Sequence, residues 1–439
     1  MRFNSTDSYI SVRNALQIIE KHVRQHHLSP CETVDLLHLH KRILAEDVIS
    51  AVNIPAYDCS HMDGYAVKAE DIIYASEQNP VILELRKNQI KPRRTTRTTT
   101  TIFKKSSLQK SETFQIMTGG FLPKGANTIV PIEQTQLINK NKVQIFSAFP
   151  RGSFVYPKGQ DIKRGSRVMK TGKIFRPQDI GLLALLEVSK VKVFPKPKVA
   201  IIATGSELTS QLDNVKSRKI PDTHSHIISS MVEELGGLAF RMGIIPDDIS
   251  KIRNKIETAI LSSMDLILTL GGSSVGKYDL VESAIKSVSS PAVLLHGVKL
   301  DRGRVTGLAI INSKPIIIMP GPIQGALNAF MIFGRPILKL LSGQTKRRPL
   351  TIPSTFTGEW YARKKFFDFT KIIYVKLINK QSGEFIAKPV IGETESMTIL
   401  TRSNGYIIAD EKTTHIRRGE KVKVHLLPGL SYTNDELEV

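Results

Sequence analysis

Acidic side chains are in short supply in this 439-residue chain. Only 40 Asp and Glu stand against 62 Lys and Arg, for a formal charge of +22 and a pI of about 9.8. Such a balance favours anionic partners: phosphorylated small molecules, nucleic acid or acidic surfaces. Cysteine is nearly absent. Cys31 and Cys59 are the whole complement, which implies no disulfide framework and fits a reducing compartment. No apolar run approaches the roughly 20 residues of a membrane span. The first residues, MRFNSTDSYI, have no apolar signal core. Internal repeats and low-complexity domains are missing too. A soluble cytoplasmic protein without a membrane partner is the expectation, and the length implies two to four domains.

What is present centres on Asp265 to Asp279, DLILTLGGSSVGKYD. The apolar run from Leu266 to Leu270 reads as a buried strand of a helix-covered parallel sheet. It stops at Gly271-Gly272, passes Ser273, Ser274 and Gly276, and at Asp279 opens a helical pattern, DLVESAIKSV. In a strand, glycine turn and helix of this kind, backbone N–H groups can hold an anion, and glycines permit close approach. Asp279 can hold a divalent metal against that anion, or simply cap the helix.

The flanking chain has the same grammar. Val199 to Ala203 reads as a strand ending in Thr204-Gly205-Ser206-Glu207. Ile220-Pro221-Asp222 leads into a helix with Ile227, Met231 and Leu235 on one face. Pro315 to Met319 is a strand ending in Pro320-Gly321. Alternating strands and helices from Lys198 to Leu340 predict a doubly wound α/β domain, whose ligands bind beyond the carboxyl ends of the strands. Thr204, Gly205, Glu207, Gly271 to Asp279 and Pro320-Gly321 all fall at such ends.

Elsewhere the pattern predicts an amphipathic helix from Ser11 to His26, a helix from Gln178 to Glu187 started by Pro177, and short strands over 81–149 and beyond 351. In an extended strand Cys59, His61 and Asp63 would share a face, as zinc ligands could, but a fourth ligand is not evident nearby. Residues 91–107, KPRRTTRTTTTIFKKSS, carry several cations and no acid. With only Phe103 for stacking, they read as a solvated loop rather than a nucleic-acid module. The expected domains are 1–49 completed by 151–189, an inserted β-rich domain at 50–150, an α/β domain at 190–345 and a C-terminal β domain at 346–439.

These segments resemble, in order, the MoeA/gephyrin family of molybdopterin molybdenumtransferases. The matching stretches are DCSHMDGYAV, TGGFLPKGANTIV, KGQDIKRG, KVAIIATGSEL, IPDTHSHI, IIPDD, LTLGGSSVGKYDLV and MPGPIQGALNAF. The resemblance implies an elongated four-domain chain, usually a homodimer, with a MoaB/MogA-like central domain and a C-terminal β-barrel-like domain. It implies insertion of molybdate, or tungstate, into adenylylated molybdopterin with release of AMP, assisted by Mg2+. Carried over by motif, its functional acids fall on Asp63, Asp161, Glu207, Asp222 and Asp279, with Asp222 and Asp279 as metal ligands. Asp63 would close the site from another domain or subunit. Substrate contacts fall on Thr118, Gly119, Thr204, Gly205, Gly271, Gly272, Ser273, Ser274, Gly276, Arg302, Arg304, Pro320 and Gly321.

Departures cluster near the pterin and phosphate contacts. The family's KPGKP is here Asp301-Arg302-Gly303-Arg304-Val305, so its lysines become Asp301 and Arg304. PGNPVS is PGPIQG, GAD reads Gly125-Ala126-Asn127 and TGDEL reads TGSEL. The alternative to an enzyme is a non-catalytic scaffold or regulatory protein on the same fold, with the basic segment 91–107 as its point of association with nucleic acid.

Overall fold

The structure is a computed structural model that describes residues 9–26, 31–90, 107–210, 219–272, 279–344 and 349–427. It divides into two compact units: residues 1–45, 172–180 and 189–439, and residues 46–171 with 181–188.

In the first unit, helix α1 (Val12–His26) starts where Ser11 Oγ accepts the Asn14 N–H at 3.2 Å. Its Val12, Ala15, Ile19 and Val23 are buried, as their spacing predicts. The central six-stranded sheet contains β1 (Lys198–Thr204), β2 (Leu238–Ile245), β3 (Leu266–Leu270), β4 (Val293–His296), β5 (Gly307–Ile311) and β6 (Lys314–Met319). Their order across the sheet is β2-β1-β3-β6-β5-β4. The first four run parallel, β5 runs antiparallel to β6, and β4 pairs antiparallel to β5 at the edge.

Alternate residues of the central strands enter two separate cores. Val199, Ile201, Leu266, Leu268 and Ile317 join Ile228 and Val232 of α2 (Thr223–Glu234). Ala200, Ile202, Ile267, Ile316 and Ile318 join a second cluster. Its helices are α3 (Ile249–Leu261) and α4 (Leu280–Val288), which supply Ile252, Ile256, Val281 and Ile285. Side chains alternate faces along a strand, so α2 covers one face of the sheet and α3 and α4 the other. This is the doubly wound arrangement expected from the apolar runs.

Beyond β6, α5 (Ile323–Ala329) passes through a π-helical turn, Phe330–Gly334, into α6 (Arg335–Leu341). Pro336 follows that turn, and wide turns of this kind accommodate a missing backbone donor. The chain then forms a closed barrel from β7 (Thr351–Phe356), β8 (Lys371–Asn379), β9 (Phe385–Pro389), β10 (Gly405–Ala409) and β11 (Lys421–Leu426). Phe356, Val375, Leu377, Ala387, Ile407 and Val424 fill it. Lys371 is 1% exposed, and its ammonium donates to the carbonyls of Phe367 at 2.6 Å and Thr413 at 2.9 Å.

The second unit is built on a six-stranded sheet ordered Thr128–Pro131, Gly64–Val67, Glu112–Ile116, Val81–Ile90, Lys142–Ile145 and Thr135–Asn139. Tyr65, Val67, Leu83, Val130, Val143 and Ile145 form its core. The basic segment 91–106 lies outside the described residues.

Candidate functional site

In the first unit the sheet's register places three turns side by side. Ala203 of β1 is opposite Leu270 of β3, and Leu270 is opposite Met319 of β6. Thr204-Gly205, Gly271-Gly272 and Pro320-Gly321 therefore leave adjacent parallel strands at one edge. The chain after β1 turns into α2 on one face. The chain after β3 turns into α4 on the other. A crevice opens at such a switch point, beyond the carboxyl ends of the strands.

Two of these turns are packed against each other. Thr204 Oγ1 donates to the Leu270 carbonyl at 3.2 Å. A Cβ on Gly271 would lie 2.6 Å from Thr204 O, and one on Gly272 would lie 2.6 Å from Thr204 Oγ1. Both glycines also have positive φ, 86° and 63°. The glycines are needed because β1 and β3 converge here with no room for a side chain.

Asp222 and Asp279 stand at the helix starts that flank this edge. Asp222 is positioned by the short parallel pairing of Leu208–Thr209 with Ile220–Pro221. Its N–H donates to Thr209 O at 3.0 Å. Its carboxylate accepts the Ser225 N–H at 3.1 Å and the Ser225 hydroxyl, capping α2. Asp279 accepts the Glu282 N–H at 2.8 Å, capping α4. Its second oxygen lies 3.2 Å from His296 Nε2. Both acids are therefore N-caps, at the starts of two helices that pack on opposite faces of the sheet. Ser273, Ser274 and Gly276 lie outside the described residues.

His296 and Glu282 give no sequence signal of a site, apart from the capping-box spacing of Asp279 and Glu282. His296 Nδ1 lies 2.5 Å from Glu282 Oε2, and Lys286 pairs with the other oxygen. Burial pushes the Glu282 carboxyl up, but hydrogen bonds from Lys286 and His296 outweigh it and leave the pKa below the ordinary value. His224 sits at the start of α2, and burial pushes its pKa down against a hydrogen bond involving Gly321 and the charge of Asp222.

The remaining first-unit positions are more dispersed. Glu207 is exposed, and its carboxylate lies over Gly205, 2.7 Å from where a Cβ would be. Arg302 pairs with Gln324 Oε1, and Asp301 pairs with Arg363. Arg304 lies 5.8 Å from the Phe366 ring centroid. The aspartate in place of a lysine is thus neutralised by an arginine distant in sequence. Gly325 of PGPIQG also has a steric reason: a Cβ there would meet Pro320 Cβ at 2.9 Å. A cavity of 440 Å³ lies elsewhere, along α2 and α5, lined by Ile227, Met231, Leu327 and Met331. None of the strand-end residues lines it.

In the second unit the structure brings Asp63 and Thr118 together. Asp63 Oδ1 accepts from Thr118 N at 2.6 Å and from Thr118 Oγ1 at 2.7 Å. These two bonds, the backbone one first, hold the exposed carboxyl below its ordinary pKa. Gly119 follows with φ 75°. Asp161 is exposed in a loop whose Asp161 and Ile162 N–H groups donate to Ile54 O, each at 3.1 Å. Cys59, His61 and Asp63 do not share an extended strand. The strand ends at Ser60, and the chain bends before Gly64. Cys59 is buried, its thiol pushed up to about 11 by burial and then by Asp58. Among the described residues no group of three His, Cys, Asp or Glu side chains is placed to hold a metal ion.

Comparison with known proteins decides the family. The MoeA N-terminal region (domain I and II) matches residues 10–186. The probable molybdopterin binding domain matches 200–340, and the MoeA C-terminal region (domain IV) matches 364–427. A protein of Mycobacterium tuberculosis named molybdopterin molybdenumtransferase 2 is 31% identical over 315 residues, 71% of this chain and 75% of that protein. The chain belongs to the MoeA family. A Bacillus subtilis protein named molybdopterin molybdenumtransferase is 28% identical over 90% of this MoeA-family chain and 88% of its own. The crystal structure of a molybdopterin biosynthesis MoeA protein from Pyrococcus horikoshii superposes with a TM-score of 0.78 at 26% identity. It covers 95% of this chain and 100% of that one.

Proposed function

We propose that this MoeA-family chain is a molybdopterin molybdenumtransferase acting in molybdenum cofactor biosynthesis. It inserts molybdate, or tungstate, into adenylylated molybdopterin and releases AMP. The observation that carries the reading is the sheet register, which puts three strand-end turns side by side between two helix starts. The starts of α2 and α4 present partial positive charge to phosphate oxygens, while the Gly205 and Gly271 N–H groups stay in the sheet, donating to Ile245 O and Met319 O. Arg302 and Arg304 add full charges for the same anion. Asp222 and Asp279 orient what binds there, and Glu207, Asp161 and Asp63 are assigned to the same reaction by their motifs, Asp63 being held by Thr118 within its own unit.

Mg2+ is part of this proposal, with Asp222 and Asp279 as its protein ligands. Magnesium commonly takes one or two carboxylates and completes its shell with water and substrate phosphates. When bound, it neutralises charge on the phosphate oxygens. A homodimer in the cytoplasm completes the proposal. No helix among the described residues is long and apolar enough to cross a membrane.

The scaffold alternative draws on the internal pairing of Asp301 with Arg363 and of Arg302 with Gln324, which engages the segment that the family uses for anions. Reconstitution separates the two. Purified chain, adenylylated molybdopterin, molybdate and magnesium should yield cofactor that activates an apo-molybdoenzyme. Binding of the adenylylated pterin with no active cofactor would favour the scaffold.

A further inference from the structure

We propose that Gln324 is a positioning residue that aims the Arg302 guanidinium at a tetrahedral oxyanion of the substrate. Both residues stand where the family pattern is apolar. Arg302 takes the place of the first proline of KPGKP, and Gln324 that of the valine of PGNPVS. Folding joins these two departures in one bond, from Arg302 Nη1 to Gln324 Oε1. Gln324 is 1% exposed, and its Nε2 donates at 2.8 Å to the carbonyl of Glu393, in the segment after β9. Its backbone N–H donates to Thr394 O at 3.2 Å. An amide is planar, so holding its nitrogen places its oxygen. The segment after β9 thus sets where Arg302 docks.

The main chain of Arg302 is held in the same way one turn further along α5. Its φ is 50°, in the left-handed region that a side chain disfavours. Asn328 Nδ2 donates to the Arg302 carbonyl at 3.0 Å, and Asn328 Oδ1 accepts from the Tyr374 hydroxyl of β8 at 2.9 Å. Residues four apart share one face of a helix. Gln324 and Asn328, both buried, therefore grip the side chain and the backbone of one arginine. Gln324 is uncharged, so its bond leaves the cation's charge intact. The neighbouring Asp301 carboxylate is paired with Arg363. Arg302 is half-buried, and its other guanidinium N–H groups can grip an oxyanion two at a time. Outer partners such as Gln324 orient a binding group without touching what is bound.

The proposal rests on the transferase reading for the identity of the anion, but the positioning itself can be measured without it. The first readout is labelling of Arg302 by phenylglyoxal in the purified chain, followed by peptide mass spectrometry. Gln324→Met keeps an unbranched side chain and removes both amide bonds. Arg302 should be labelled about fivefold faster in this variant, the scale of one lost hydrogen bond. AMP and molybdate are then added separately as protecting anions. Protection by AMP assigns a substrate phosphate to Arg302, and protection by molybdate assigns the metal oxyanion. Gln324→Met should need about tenfold more of the protecting anion. The second readout is insertion kinetics. KM for the matching substrate should rise about tenfold with kcat within about twofold, because the contact serves binding. In an Arg302→Met background the same change should cost less than about twofold, since both act through one guanidinium.

Unchanged labelling in Gln324→Met would overturn the proposal. So would protection of the wild type by neither anion, or costs that multiply independently in the cycle. If Gln324→Met does not fold, Gln324→Val, which restores the family's residue, decides by the same criteria. A wild-type chain without insertion activity would defeat the functional reading, yet labelling and protection would still decide the role of Gln324.

Discussion

Asp63 lies in a bend, and both bonds to its Oδ1 come from Thr118. Asparagine offers the same acceptor oxygen, so Asp63→Asn should leave the thermal midpoint within a few degrees of wild type. The lost charge should slow insertion by roughly 10²-fold or more, the scale of a lost electrostatic contribution. A mutant with wild-type turnover would remove Asp63 from the reaction. Asp222 and Asp279 call for a different experiment, because their visible role is capping. Asparagine caps about as well as aspartate, so Asp279→Asn should fold normally while requiring much more magnesium. An unchanged magnesium requirement at wild-type rate would leave Asp279 as a cap alone. At this scale the sequence singled out the acids as candidates, since each sits in a short motif of its own. It could not reveal His296 or Arg363, which come to Asp279 and Asp301 from distant segments by folding.

Glycine turns are the elements that set the strand ends, and they fail in distinct ways. Gly64 lies in the strand Gly64–Val67, and a Cβ there would come within 2.0 Å of Val130 O. Gly64→Ala must therefore push apart the pairing with Thr128–Pro131 and should lower stability by roughly 3 kcal/mol or more. Gly119 has no atom within 4 Å of its Cβ position but a φ of 75°. Gly119→Ala should cost only about 1 kcal/mol of backbone strain. Thermal unfolding of the two variants checks the order, and equal losses would contradict it. The central strands were legible because their runs are apolar on both faces. The antiparallel edge pair β4 and β5 was not, since apolar periodicity carries no strand direction. Nor did the single apolar pattern after Pro322 reveal its π-helical turn.

For the molecule as a whole, charge governs both stability and substrate. Asp179 is 5% exposed. Burial alone would raise its pKa, but hydrogen bonds from Arg176 and Lys173 outweigh this and hold it at about 2, against 3.8 for a free group. A depressed carboxylate stabilises the fold above its unfolded pKa and loses that contribution as pH falls through the folded one. The wild-type advantage over Asp179→Asn should thus be level above about pH 5 and shrink by roughly 2 kcal/mol between pH 4 and pH 2. Thermal midpoints across that range check it, and a constant difference would contradict it. The basic excess pointed to an anionic partner without specifying which. The match of residues 200–340 to a probable molybdopterin binding domain is what narrows it. The decisive measurement is AMP release by the purified chain from adenylylated molybdopterin, with and without molybdate, alongside the metal inserted. The account predicts release that depends on molybdate, with about one AMP for each metal inserted. AMP release that ignores molybdate, or none despite bound substrate, would contradict it.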